Sequence, residues 1–148
     1  MKAISKSLKK NDPNHLNLGI RYGYIEQLDD ELLRISKESF DALSFNCYAL
    51  SPDHEKMNHA LEISGLPMII GEYHFGTVDR GLAQSLWQVN SQKERGDAFR
   101  YYTENAFAHR GLIGTGWFRW IDQNINGRTD GENYNCLLYT SDAADDKA

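Results

Sequence analysis

Cysteine, proline and positive charge are all scarce in this chain. Its 148 residues hold two cysteines and three prolines, and 16 Lys and Arg stand against 21 Asp and Glu. The resulting net charge of −5, with no basic stripe to offset it, disfavours binding to a phosphate backbone, so nucleic acid is not an expected partner. No apolar run approaches the roughly 20 residues that a bilayer crossing needs, so no membrane partner is expected either. Met1 to Lys6 carry no long apolar stretch of the kind a signal peptide requires. Neither G-x-G-x-x-G nor G-x-x-x-x-G-K-[ST] occurs, which removes the phosphate-gripping turn of nucleotide-binding sheets. What remains is ordinary for a globular protein: 41% hydrophobic and 25% charged residues, in a length that suits one domain.

The final stretch differs in character from the rest. Cys136-Leu137-Leu138-Tyr139-Thr140-Ser141-Asp142-Ala143-Ala144-Asp145-Asp146 resembles a translated sequencing adapter, and such scars are set aside from fold reasoning. Two segments follow: 1–135 as a partial catalytic domain, and 136–148 as a non-native tail expected to make few contacts. Without the tail the net charge is −3 and Cys47 stands alone, so neither an intrachain disulfide nor a cysteine-based zinc site is available. An adapter at this point implies a cut gene and therefore a fragment.

Strand-like and helix-like patterns alternate four times. After the breaker Asp12-Pro13-Asn14, the segment 15–21 alternates apolar and polar residues and predicts a strand. Leu28, Leu32, Leu33 and Ile35 then recur at helical spacing. Residues 40–46 predict a second strand, and Ser51-Pro52-Asp53 opens a second helix that Gly65 stops. Residues 66–72 form an apolar run without alternation, as expected of a parallel strand buried on both faces. A loop from Gly76 to about Asn90 follows, long enough to be a functional one. Ser91-Gln92-Lys93-Glu94 reads as a capping box for a third helix, and 112–118 as a fourth strand.

This order means a parallel sheet, doubly wound or closed as a barrel. Arg21, Asn46 with Tyr48, Glu72 with His74, and Trp117 with Trp120 all fall at C-terminal strand ends, where a TIM barrel builds its site. A whole barrel takes about 250 residues, so this chain supplies roughly half. Glu72 is the sharpest residue, because a carboxylate at the end of so apolar a strand must be compensated. The bland alternative is a salt-bridged rim acid. Asn46 and Tyr48 from the preceding strand are placed to hydrogen-bond it, and Trp117 to floor a sugar ring, a combination suited to glycosidic cleavage.

On these residues a specific resemblance rests. Pro67-Met68-Ile69-Ile70-Gly71-Glu72-Tyr73-His74-Phe75-Gly76 with Asp79-Arg80-Gly81 resembles the nucleophile strand and loop of agarase-like glycoside hydrolases, family 50 and relatives. Gly114-Thr115-Gly116-Trp117-Phe118 and Asp130-Gly131-Glu132-Asn133-Tyr134-Asn135 resemble that family's last strand and following loop. Asp12-Pro13-Asn14-His15-Leu16 and Ser44-Phe45-Asn46-x-Tyr48 resemble its fifth and sixth strands. The resemblance implies an α/β fold, the C-terminal half (about strands 5–8) of a (β/α)8 TIM barrel, in a retaining glycosidase cleaving galactose-containing polysaccharide. It implies Glu72 as nucleophile, with Asn46, Tyr48, His74, Trp117 and Trp120 binding substrate. The partner acid/base Glu normally follows Asn at the end of strand four; no Asn-Glu dipeptide occurs here, so the isolated chain is expected to be inactive, and the unpaired edges of a half barrel predict poor solubility.

Gly116 stands where the family commonly has a larger residue such as His, Arg119-Trp120 replaces Gln-Tyr, and Asn124 replaces Pro. These positions border the subsites and leave agarose specificity open. The alternatives are a β-galactosidase-like exo-enzyme, a metal-dependent barrel hydrolase using His74 and Glu72, and a non-catalytic sugar-binding remnant. No cofactor is expected, and no metal, since no third ligand is suitably spaced. His54 and His59 read as surface residues, Cys47 as a small buried hydrophobe, and Asp122, Arg128 and Glu132 as loop-ordering ion-pair residues. Trp87 suits a sugar platform or loop packing equally. Oligomeric state and compartment are not legible, although secretion suits a polymer substrate.

Overall fold

The computed structural model describes residues 1–79 and 81–137. Arg80 and the bulk of the proposed tail, 138–148, lie outside them. Four parallel strands, β1 (Arg21–Tyr22), β2 (Leu43–Asn46), β3 (Met68–Tyr73) and β4 (Leu112–Trp117), form one sheet in the order β1-β2-β3-β4. Helices α2 (Asp30–Lys37), α3 (His54–Ser64) and α4 (Gln92–Phe107) connect successive strands, and a 3-10 turn at Ile25–Gln27 precedes α2. The alternation read from sequence is therefore present, as a mixed α/β fold with a parallel sheet.

Local chemistry sets the helix ends. Asp29 caps α2 by accepting from the Leu32 amide, and Asp53 caps α3 by accepting from Glu55 and Lys56. Gly65 closes α3 at φ 68°, a left-handed conformation that glycine adopts without a Cβ penalty. Ser91 caps α4 by accepting from Glu94 N at 3.2 Å, but the Glu94 carboxylate bonds Asn90 rather than closing a reciprocal box.

Two expectations need correction at the N-terminal end. Residues 15–20 form no strand, and only Arg21 and Tyr22 join the ladder, opposite Ser44 and Phe45. The preceding backbone is held by Asp41 instead: Asn17 N donates to Asp41 Oδ2 at 2.6 Å, and Asp41 N donates to Asn17 O at 2.8 Å. An additional helix, α1 (Lys2–Asn11), lies before the sheet and was not foreseen. Its apolar Ile4 and Leu8 share one face at i,i+4 spacing and remain exposed.

The core lies between the sheet and α2, α3 and α4. Leu43, Phe45, Met68 and Ile70 are buried there with Leu33, Met57 and Tyr102. Ile69, on the opposite face of β3, is only half-buried, and Ile113 of β4 is exposed. The expectation that β3 is buried on both faces thus fails among the described residues, because helices cover one face. No helix among them is long and apolar enough to cross a membrane.

Candidate active site

The C-terminal edge of β3 places Glu72 opposite Asn46 of β2, just past an irregularity between Phe45 and Asn46 that shifts the register. That shift sets the pair side by side. Asn46 Nδ2 donates to Glu72 Oε2 at 3.1 Å, and the Tyr48 hydroxyl donates to the same oxygen at 2.7 Å. Burial, then its bond to Glu72, pushes the Tyr48 hydroxyl far above the usual tyrosine range, so it stays a proton donor to the carboxylate. The other oxygen, Oε1, receives Arg21 Nη2 at 2.8 Å. Three side chains from two neighbouring strands and their loops therefore hold one carboxylate, which keeps 17% of its surface exposed. Asn46 and Tyr48 are where the sequence placed them. Arg21 was noted only as a strand-end residue, and its arrival at Glu72 was not legible.

Glu72 opens into a cleft of about 160 Å³ lined by Tyr48, Leu86, Arg128, Glu132 and Tyr134. A larger groove of about 430 Å³ lies between the 3-10 turn, α2 and α3, and none of the strand-end residues line it. Two loops wall the Glu72 cleft. The loop after β3 folds back on Gly76, whose N–H donates to Trp87 O and whose carbonyl accepts from Val89, both at 2.9 Å. The segment after β4 joins that loop through Ala83 and Tyr134, with Asn135 N donating to Ala83 O at 3.1 Å. Arg128 pairs with Asp130 and Glu132, and Asp122 accepts from Asn135, Cys136 and Leu137. Arg128 and Glu132 form an ion pair of the kind read from sequence, whereas Asp122 is engaged through these hydrogen bonds.

Trp117 occupies a different place from the one expected. Its indole is 7% exposed, its Nε1 donates to Cys136 O at 2.9 Å, and its ring packs on Tyr73, His74, Phe75 and Phe99. So little free surface cannot floor a pyranose ring. Trp120 is 63% exposed and has a face to offer; Trp87 is part-exposed in the β3 loop. His74 likewise leaves the predicted subsite. It is fully buried against Trp117, and burial with nearby Arg95 pushes its pKa down to about 3. The ring packs in the core and does not line the Glu72 cleft, so it is not placed as a sugar-binding group there. Among the described residues no group of three or more His, Cys, Asp or Glu is placed to hold a metal ion.

Behind the cleft lies a polar knot that sequence reasoning missed. Arg95 of α4 is fully buried and donates to Asn135 O at 2.9 Å, to the Asn135 side chain, to Leu137 O at 2.6 Å and to Thr77 at 3.3 Å. Arg95 ties in Leu137, and Asp122 and Trp117 hold Cys136, so the expectation of few contacts fails at the start of the proposed tail. Most of these ties run through backbone groups, which any residue would supply. Cys47 is partly buried against the core, where burial raises its thiol pKa. His59 is an exposed partner of Asp30, whereas His54 packs edge-on to His109 and meets Asn105 O at 2.8 Å.

Comparison with known proteins bears on the fold and on what the chain is similar to. No protein-family model matches the chain. The Beta-agarase A of Vibrio sp. (strain JT0107) is 34% identical over 139 residues, which span 89% of this chain and 14% of that protein. The crystal structure of an agarase, AgWH50C, superposes with a TM-score of 0.84 at 36% identity, over 91% of this chain and 21% of the other. The chain is similar to the agarase-like glycoside hydrolases. An exo-beta-agarase structure agrees, with a TM-score of 0.82 at 29% identity over 91% of this chain and 18% of that one. The agarase-like chain thus spans about a seventh of the curated relative's length and about a fifth of the solved ones. The strands that carry Asn46, Glu72 and Trp117 are among the elements on which the sequence resemblance rested.

Proposed function

We propose that the agarase-like chain is the C-terminal half of a (β/α)8 barrel, residues 1–135, from a retaining glycoside hydrolase acting on a galactose-containing polysaccharide of the agarose type. The observation that carries this reading is the Glu72 carboxylate, fixed by three donors at the C-terminal edge of a parallel sheet and open to a cleft. A carboxylate held this way is a pre-oriented nucleophile. It forms a bond to the anomeric carbon while the glycosidic bond breaks towards the departing oxygen, and water later releases the glycosyl-enzyme. The leaving oxygen needs a proton. Glu132 shares the cleft but accepts from Gln123 and pairs with Arg128, so it is engaged in the loop. The acid/base is assigned to a strand-four Glu on the other half, its carboxyl about 5–5.5 Å from Glu72, the separation of retaining enzymes. Trp120 takes over the platform role first expected of Trp117, and residues 136–148 are no part of the catalytic unit.

A leaving group that departs without a proton tests Glu72 on the chain as it stands. Treatment with 2-deoxy-2-fluoro-β-galactosyl fluoride should add one fluorosugar to the peptide carrying Glu72, read by mass spectrometry of a digest. Glu72→Gln should abolish the adduct. A folded chain that stays unlabelled at Glu72, or is labelled equally in the Gln variant, would overturn the nucleophile reading.

A further inference from the structure

The geometry assigns Arg21 as a positioning residue that selects which oxygen of Glu72 attacks, seated by the absence of a side chain at Gly71. The assignment rests on the reading of Glu72 as nucleophile. A carboxylate oxygen offers two lone-pair directions. On Oε2 both are taken, by Asn46 Nδ2 and the Tyr48 hydroxyl; among the described residues Oε1 receives Arg21 alone, which leaves it one lone pair. Oε1 is therefore the oxygen that bonds to the anomeric carbon. Arg21 fixes the plane in which its free lone pair points. In the step, the Oε1–carbon bond forms, the bond to the leaving group breaks with its electron pair, and no proton moves to or from Arg21.

The path of Arg21 is unusual. It starts on β1 and must cross β2 to reach Glu72 on β3. Its ladder partner on β2 is Ser44, a small residue. At Gly71 an added Cβ would lie 2.3 Å from Arg21 Cδ, 3.1 Å from Arg21 Cγ and 3.1 Å from Ser44 Oγ. Ser44 and Gly71 together leave a track that only the guanidinium's stem fills. Gly71 has no positive φ to explain it, so the close approach of Arg21 is what calls for glycine there. The Arg21 side chain is 53% exposed, so its replacement leaves the core intact.

The test measures inactivation by 2-deoxy-2-fluoro-β-galactosyl fluoride over a range of concentrations, which separates binding (Ki) from the bond-forming rate (ki). Arg21→Met should lower ki about tenfold, as expected of a partly screened charge-assisted hydrogen bond, with Ki within twofold and the circular dichroism spectrum unchanged. Arg21→Lys should recover part of the loss. Gly71→Ala should lower ki similarly by displacing the stem, and adding it to Arg21→Met should cost nothing further, because both remove the same contact. Wild-type ki in Arg21→Met, or losses that multiply in the double variant, would overturn the assignment while leaving Glu72 as nucleophile. No label on wild-type Glu72 would overturn both.

Discussion

Acidification should destabilise this chain well before its carboxylates titrate, and His74 is the reason. In the unfolded chain its imidazole takes a proton near the ordinary pKa of about 6.5. In the folded chain burial, reinforced by Arg95, holds protonation off until about pH 3. Between these values the unfolded state binds more protons, so stability is full above about pH 6.5 and falls as pH drops through the window. Linkage over a gap of that size gives a loss of about 2 kcal/mol between pH 8 and pH 5. His109, also lowered by burial, acts in the same direction. The carboxylates with lowered pKa, such as Asp130 at about 2 beside Arg128, lose their contribution only at more acid pH. Urea unfolding at pH 8, 6.5 and 5, followed by intrinsic fluorescence, measures the slope. His74→Leu, apolar and similar in size, should remove most of it. A wild-type stability flat from pH 8 to pH 5, or an unchanged slope in His74→Leu, would refute the burial argument and return His74 to a solvated subsite.

Other substitutions probe the walls of the cleft. Arg95→Met should cost about 2–4 kcal/mol in urea melts, because the carbonyls of Asn135 and Leu137 lose a buried donor; a loss under 0.5 kcal/mol would show that the knot is incidental. Gly76→Ala brings a Cβ to 2.3 Å from the backbone N of Ser85, so the loop carrying Leu86 must shift. Proteolysis within 77–90 should become faster while α3 stays resistant, and equal cleavage in both proteins would contradict that. Exposed Trp120, not buried Trp117, should report sugar: an agarose tetrasaccharide should quench fluorescence in Trp117→Phe but not in Trp120→Ala, and the reverse pattern would restore Trp117 as the platform.

The sequence by itself determined the order of elements and the neighbourhood of Glu72. Turn and cap residues such as Gly65 and Ser91 mark element ends through local backbone chemistry, which needs no tertiary context. Consecutive strands of a parallel sheet lie side by side more often than not, which put Asn46 and Tyr48 within reach of Glu72, and the observed β2-β3 adjacency places them there. Tertiary structure alone decided the rest. Residues 15–20 alternate like a strand, yet a strand exists only where a partner ladder does, and Asp41 took that place. Periodicity put His74 on the face of Glu72, but the strand ends at Tyr73 and the following backbone turns the ring into the core. Trp117 as an aromatic at a strand end is compatible with a platform or a core; the aromatic side chains of β3 and α4 packed around it chose the core. Arg21 reaches Glu72 across an intervening strand. Its span depends on what Ser44 and Gly71 leave open, and such a clearance exists only once three strands lie side by side.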